Sequence, residues 1–256
     1  MKKSQIYYHR AHRQISFSWK TLFVEFFLSI PFCWLLILYV YPPITRLASQ
    51  CLIEWNAPLH PASASSLTEK AFVFGSITTP QMPGRYPTPQ LTFAIFILSV
   101  LLIFMATKIR IPNPIAIWVI FVCLVNIVSV LFFTFLPAFF PYTIQHFAEL
   151  FMKTEITIWL FVPVIMEASL LPLPSSKISK FMAILFSVLY AVAFGVVRYV
   201  LFVQILVKFS YIFMAVLFFC FGPFIDFIVV VGVYSFYVSL ISNKINQDLR
   251  VWNWSY

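Results

Sequence analysis

Six apolar runs, each close to the length that crosses a hydrocarbon layer, leave this chain little choice of architecture. They fall near residues 21–42, 91–107, 115–136, 156–173, 181–207 and 211–241. A bilayer core is about 30 Å thick, so a helix rising about 1.5 Å per residue needs roughly 20 apolar residues to span it. The runs do not alternate in hydropathy, as the strands of a membrane barrel would. The expected fold is all-α: a polytopic helical membrane protein with about six transmembrane helices, forming one integral domain over residues 1–256. Composition agrees, because only 10% of residues are charged, against about a quarter in a soluble domain.

The segments between the runs complete the expected layout. Residues 1–20 form a basic tail with Lys2, Lys3, Arg10, Arg13 and Lys20. The first apolar run is longer than a signal-peptide core and lacks a small-x-small cleavage site, so it is read as a retained span. It ends at Pro42-Pro43, and a Pro-, Ser- and Thr-rich loop follows over 43–90, with AFVFGSIT suggesting a short strand pair. In FFPYTIQHFAELFMKTE, 139–155, Ile144, Phe147 and Phe151 share one helical face while Gln145, His146, Glu149 and Lys153 face elsewhere. That pattern predicts an interfacial amphipathic helix. The last span carries Gly222-Pro223, a kink or break signal, and residues 242–256 form a polar tail with two tryptophans.

Charge sets the expected orientation. The net charge is +9, but the basic residues punctuate the spans instead of forming the patch a nucleic acid needs. With six crossings, both tails and two short links hold eleven Lys and Arg, and the opposite side holds five. The excess marks the cytoplasmic side, so both termini are expected inside and the 43–90 loop and 139–155 helix outside. The implied partners are the lipid bilayer and other membrane proteins, with no nucleic acid; the implied location is a bacterial inner membrane.

Three charges inside the runs are the candidate functional residues: Glu167, Arg198 and Asp226. An isolated charge at mid-bilayer is expensive, so such residues pair with one another or line a polar path. The three lie on consecutive spans with short links, so Arg198 is expected to meet Asp226, Glu167 or both. Either the cluster is a buried ion pair fixing helix register, or it is a polar track for an ion, proton or anionic group, or Arg198 meets a carboxylate of another subunit. Two acids on one base leave a surplus negative charge, which favours a shared proton.

Little else points to chemistry. His9, His12, His60 and His146 lie outside the runs without ligand spacing, and Cys33, Cys51, Cys123 and Cys220 include no CxxC pair. There is no HExxH, GxSxG or phosphate-binding loop, and Ser169, Ser175 and Ser176 lack a histidine base. No catalytic residue, cofactor site or metal site is expected. Asn126 suits an interhelical hydrogen bond.

MEASLLPL (166–173) and FGVVRYVLF (194–202) resemble two stretches of the exosortase/archaeosortase membrane proteins or their associated membrane proteins. The first resembles the stretch that carries the family's catalytic cysteine, and the second resembles its arginine helix. Ser169 stands where the cysteine would be, and no histidine follows His146. The resemblance therefore implies surface-protein sorting as context and Arg198 as a retained structural residue, without catalysis. The first expectation for function is a non-enzymatic inner-membrane subunit or accessory factor of a larger assembly, one that sorts, exports or matures surface proteins. The second is a transporter or channel component using Glu167, Arg198 and Asp226, and the third is a membrane-embedded transferase or peptidase.

Overall fold

The computed structural model describes residues 13–15, 19–57, 66–109, 112–171, 173, 175–247 and 252–254. Most of the 1–20 tail, His60 and part of the 242–256 tail lie outside them. In chain order the elements are β1 (Arg13–Ile15), α1 (Trp19–Asn56), β2 (Ser66–Phe72), β3 (Gly75–Gln81), α2 (Pro89–Lys108), α3 (Asn113–Phe135), α4 (Ile144–Leu170), α5 (Lys177–Lys208), α6 (Met214–Phe219), α7 (Pro223–Gln247) and β4 (Trp252–Trp254). Single 3-10 turns precede α4 and α6, at Pro137–Phe139 and Tyr211–Phe213.

Five stretches are long and apolar enough to cross a membrane: Phe26–Asn56, Pro89–Lys108, Asn113–Phe135, Lys177–Lys208 and Tyr211–Ser242. The stretch expected at 156–173 is not among them. It is the second half of α4, whose first half is the amphipathic segment expected to stand alone. No break separates the two, because Phe147, Phe151, Ile156 and Trp159 continue one buried face through the junction. The 43–90 segment also begins as helix. Pro42 and Pro43 remove two backbone donors from α1 without ending it, and Thr45 Oγ1 donates to the Pro42 carbonyl at 2.9 Å.

The chain divides into two units, Leu38–Ile158 with Ala193–Asp226, and Met1–Ile37 with Trp159–Val192 and Phe227–Tyr256. The first contains α2 and α3, each started by a proline in its first turn; Thr88 also caps α2, accepting from Leu91 N at 3.3 Å. It also contains the β2–β3 hairpin, paired from Ser66↔Gln81 to Phe72↔Gly75. The outer edge of β3 lies on one stripe of α1. Thr45 Oγ1 accepts from Thr78 N at 3.4 Å, Ser49 Oγ donates to Thr78 O at 2.8 Å, and Tyr41 Oη donates to Phe72 O at 2.5 Å. Tyr41, Thr45 and Ser49 recur every four residues, so one helical face covers a strand edge that would otherwise be bare. On the other side Gln145 Nε2 donates to Thr68 Oγ1 at 3.1 Å, and Glu149 pairs with both Lys70 and Lys153.

The second unit is built from the N-terminal part of α1, the C-terminal part of α4, the start of α5 and α7. Trp34 Nε1 donates to Leu160 O at 2.8 Å, and Tyr237 Oη sits within hydrogen-bond reach of Ser175 (2.9 Å) and Ser179 (3.1 Å). Strands β1 and β4 pair antiparallel, from Arg13↔Trp254 to Ile15↔Trp252, which joins the two ends of the chain.

The hairpin turn is strained. Val73 has φ 50°, a left-handed conformation that a β-branched residue rarely adopts. Such strain costs on the order of 1–3 kcal/mol. Val73→Gly relieves it while adding unfolded-state freedom worth up to about 1 kcal/mol, so the variant should match or slightly exceed the parent in thermal midpoint; a fall of several degrees would contradict the strain. A second outcome concerns pH. Burial alone would raise the Glu149 carboxyl, but the bonds from Lys153 and Lys70 and their charges outweigh it and hold it below its ordinary value. A depressed carboxylate contributes stability that is complete above its unfolded pKa of about 4.3, and loses it as pH falls through the lower folded value. Both lysines are over a third exposed, so the effect is at most about 1 kcal/mol. Proteolysis within 57–88 should therefore quicken below about pH 4, and Glu149→Gln should remove that step.

Candidate functional site

An apolar helix that carries a guanidinium must bring it acceptors, because arginine cannot shed its charge by losing a proton. Arg198 lies on the buried face of α5 with Tyr199, Phe202 and Val203, and is 5% exposed. Its acceptors come from three directions. From α4, Glu155 (0% exposed) receives Nη2 through Oε1 at 2.9 Å and Oε2 at 3.1 Å. From the first turn of α7, Asp226 (4% exposed) receives Nη2 through Oδ1 at 2.5 Å. From the break between α6 and α7, the carbonyls of Phe221 and Gly222 receive Nη1 at 2.9 and 2.7 Å. The Phe194 ring lies 4.9 Å from the guanidinium carbon, a cation–π contact on the same helix.

The break explains why carbonyls are available. Pro223 opens α7 without an N–H to offer the preceding turn. At Gly222 a Cβ would stand 2.3 Å from the Phe218 carbonyl oxygen, so only glycine fits that close approach. The electrostatics match the two helix ends. The cation meets the two carbonyls that follow α6, of which Gly222 O also accepts Ile225 N at 3.0 Å, and Asp226 sits at the start of α7, where the dipole favours negative charge. Beside them Trp118 of α3 packs edge-on against Phe221, ring centres 5.2 Å apart. The formal sum of Glu155, Asp226 and Arg198 is one negative charge. Arg198 Nε and Asp226 Oδ2 are buried without a hydrogen-bond partner among the described residues.

Of the three residues singled out from the sequence, Arg198 and Asp226 lie together, with Glu155 as the second carboxylate. Glu167 belongs to the other unit, where Ser29 Oγ donates to its Oε2 at 2.8 Å. Glu155 was missed because it closes the polar-looking segment 139–155. Its spacing carried the signal: it stands four residues after Phe151 and eleven after Ile144, on the face those residues define.

Other candidates are occupied locally. Ser169 Oγ donates to Ile165 O at 2.7 Å, and His146 Nδ1 lies 3.3 Å from the Thr143 hydroxyl at the start of α4. Among the described residues no group of three His, Cys, Asp or Glu could hold a metal ion. All four cysteines are free thiols, and Cys51 alone of them is exposed.

Fold and site together define a class: a helical chain with five stretches of membrane-spanning length and apolarity, containing a sealed arginine–dicarboxylate cluster at a helix break. The chain matches no family model, no curated protein and no solved structure.

The cluster gives a graded set of outcomes. Arg198→Gln leaves two buried carboxylates facing each other, and removing one partner of a buried pair costs about 3–5 kcal/mol. Asp226→Asn leaves Glu155 on the guanidinium and removes the surplus charge, so its loss should be nearer 1 kcal/mol. Monodisperse yield in mild detergent should fall steeply for the first and slightly for the second, and the double variant should recover part of the first loss. Equal yields in all three would remove the cluster from the account of the fold.

Proposed function

We propose that the chain is a multi-pass integral membrane protein acting without catalysis, as a subunit or accessory factor of a larger membrane assembly. The observation that carries this reading is the way both ends of the Arg198 fork are held. Both terminal nitrogens are engaged by groups of the chain itself, in a position 5% exposed, which suits a pin holding a broken helix better than a site for a passing solute. Six crossings with both ends cytoplasmic remain the favoured threading, with α4 crossing through its apolar half. The β1–β4 pairing of the chain ends supports an even number, and the excess of basic residues on the tail side supports the orientation. A bacterial inner membrane, and a role in sorting, exporting or maturing surface proteins, are the narrower form of the proposal and lean on the sequence resemblance alone.

A second reading has one observation in its favour. A helix interrupted beside an acidic residue is how many transporters build ion sites, and here the interruption at Gly222 adjoins Asp226, whose Oδ2 has no partner among the described residues. A membrane-embedded transferase or peptidase is the third.

Gentle extraction of the tagged chain from its native membrane should return a second membrane protein at fixed stoichiometry. The transporter reading predicts instead a lone chain whose reconstituted form moves ions or protons, with Asp226→Asn lowering flux at unchanged protein level. A lone chain with no flux would leave neither reading standing.

A further inference from the structure

The β2–β3 hairpin ends in two side chains left exposed among the described residues. Val73 is 54% exposed and Phe74 88% exposed, at the tip of a turn held in a strained conformation. Where that tip lies is fixed by α1. Tyr41 Oη bonds the Phe72 carbonyl, and Gly75 packs so closely on Tyr41 and Pro42 that a Cβ there would meet them at 2.4 and 3.1 Å. The hairpin thus runs back along α1 from the Asn56 end to Tyr41, about 22 Å at 1.5 Å per residue.

Tyr41 marks a change of composition in α1. The residues before it, SIPFCWLLIL, are apolar and aromatic; those after it include Arg46 and Glu54. Tyr41 itself is buried against the hairpin, but Tyr39 beside it is 83% exposed, and an exposed tyrosine at such a boundary is characteristic of the headgroup level. Lys70 and Lys153, both paired with Glu149, stand one strand step back from the tip, and Lys153 Nζ lies 6.0 Å from the Phe72 ring centre. The trio carries one net positive charge. The outer edge of β3 is covered by Thr45 and Ser49 on α1, so approaching lipid does not strip water from a bare strand edge there.

We propose that the hairpin tip is a membrane-dipping wedge: Val73 and Phe74 enter the headgroup–acyl boundary of the outer leaflet, with Lys70 and Lys153 at the level of the lipid phosphates. The inference rests on the proposed membrane threading. It goes beyond it by assigning a lipid contact to a segment that hydropathy alone places in water. The chemistry recognised is general to phospholipid: an apolar tip under a cationic collar.

The test places a bimane label at Phe74→Cys in a Cys51→Ser background, the other three cysteines being buried, in full-length protein reconstituted into phosphatidylcholine–phosphatidylglycerol vesicles. Phe121→Cys on α3 serves as the lipid-facing reference and Glu69→Cys on β2 as the aqueous one. Lipids bearing a nitroxide high on the acyl chain should quench position 74 about as strongly as 121, and aqueous iodide should quench it several-fold less than 69. If 74 follows 69 while 121 follows the lipid, the wedge is wrong and the threading stands. If 121 also escapes the lipid quencher, the threading falls and takes the wedge with it. Protection of 74 from both quenchers would mean that protein covers the tip, which also overturns the proposal. Because Phe74 is so exposed, these substitutions should leave folding intact; Val73→Cys provides a second reporter with the same expected pattern.

Discussion

Everything around α5 depends on the solvation of one guanidinium. Water is the usual partner of arginine, and a side chain 5% exposed has almost none. Its charge persists at any relevant pH, so the chain must supply acceptors or leave the residue out. It supplies them from segments far apart in sequence: Glu155, Asp226 and the Phe221 and Gly222 carbonyls. The dependence is mutual. The break leaves the Phe221 carbonyl to Arg198 Nη1 and turns the Gly222 carbonyl toward it as well, where that oxygen also accepts Ile225 N at 3.0 Å. Without the break the arginine would lose both carbonyls, and without the arginine Phe221 O would lose its donor.

This reciprocity explains what sequence reading reached and where it stopped. Arg198 and Asp226 stood out because each interrupts an apolar run, and Gly222-Pro223 announced the break. Glu155 did not stand out, because its neighbours Lys153 and Thr154 made the segment read as interfacial. The boundary between an amphipathic helix and a span is invisible when one buried stripe continues through both, as it does from Ile144 to Leu170 in α4. Glu167 sits in an apolar run like Arg198, and its hydrogen bond from Ser29, 138 residues earlier, depends on a fold of the chain that local pattern cannot express. Pro42-Pro43 reads as a stop by local rules, yet α1 continues to Asn56 because its next turns have the hairpin to pack against.

The hairpin shows the same accounting applied to backbone. Two strands alone are at best marginal in water. Here β3 holds Ile77, Thr78 and Thr79 buried, and its outward N–H and C=O at Thr78 are met by hydroxyls of α1. AFVFGSIT hinted at paired strands, but the partner of the pair's outer edge lies in a segment that reads as loop. The hydroxyl stripe at Thr45 and Ser49 acquires meaning only beside a strand.

Hydroxyls elsewhere follow a simpler rule. Ser129, Thr134, Thr154, Thr157 and Ser187 each return their proton to the carbonyl four residues earlier, which lets a polar side chain sit in an apolar helix without a distant partner. Ser49 departs from that habit. It donates across to Thr78 and lies 3.3 Å from the hydroxyl of Tyr199, the residue next to Arg198. One serine therefore touches both the hairpin and the helix turn that carries the arginine. α4 repeats the linkage on the other side, since Glu149 holds the hairpin through Lys70 while Glu155, less than two turns on, holds Arg198. The strand pair and the charged cluster thus share α1, α4 and α5 as common supports.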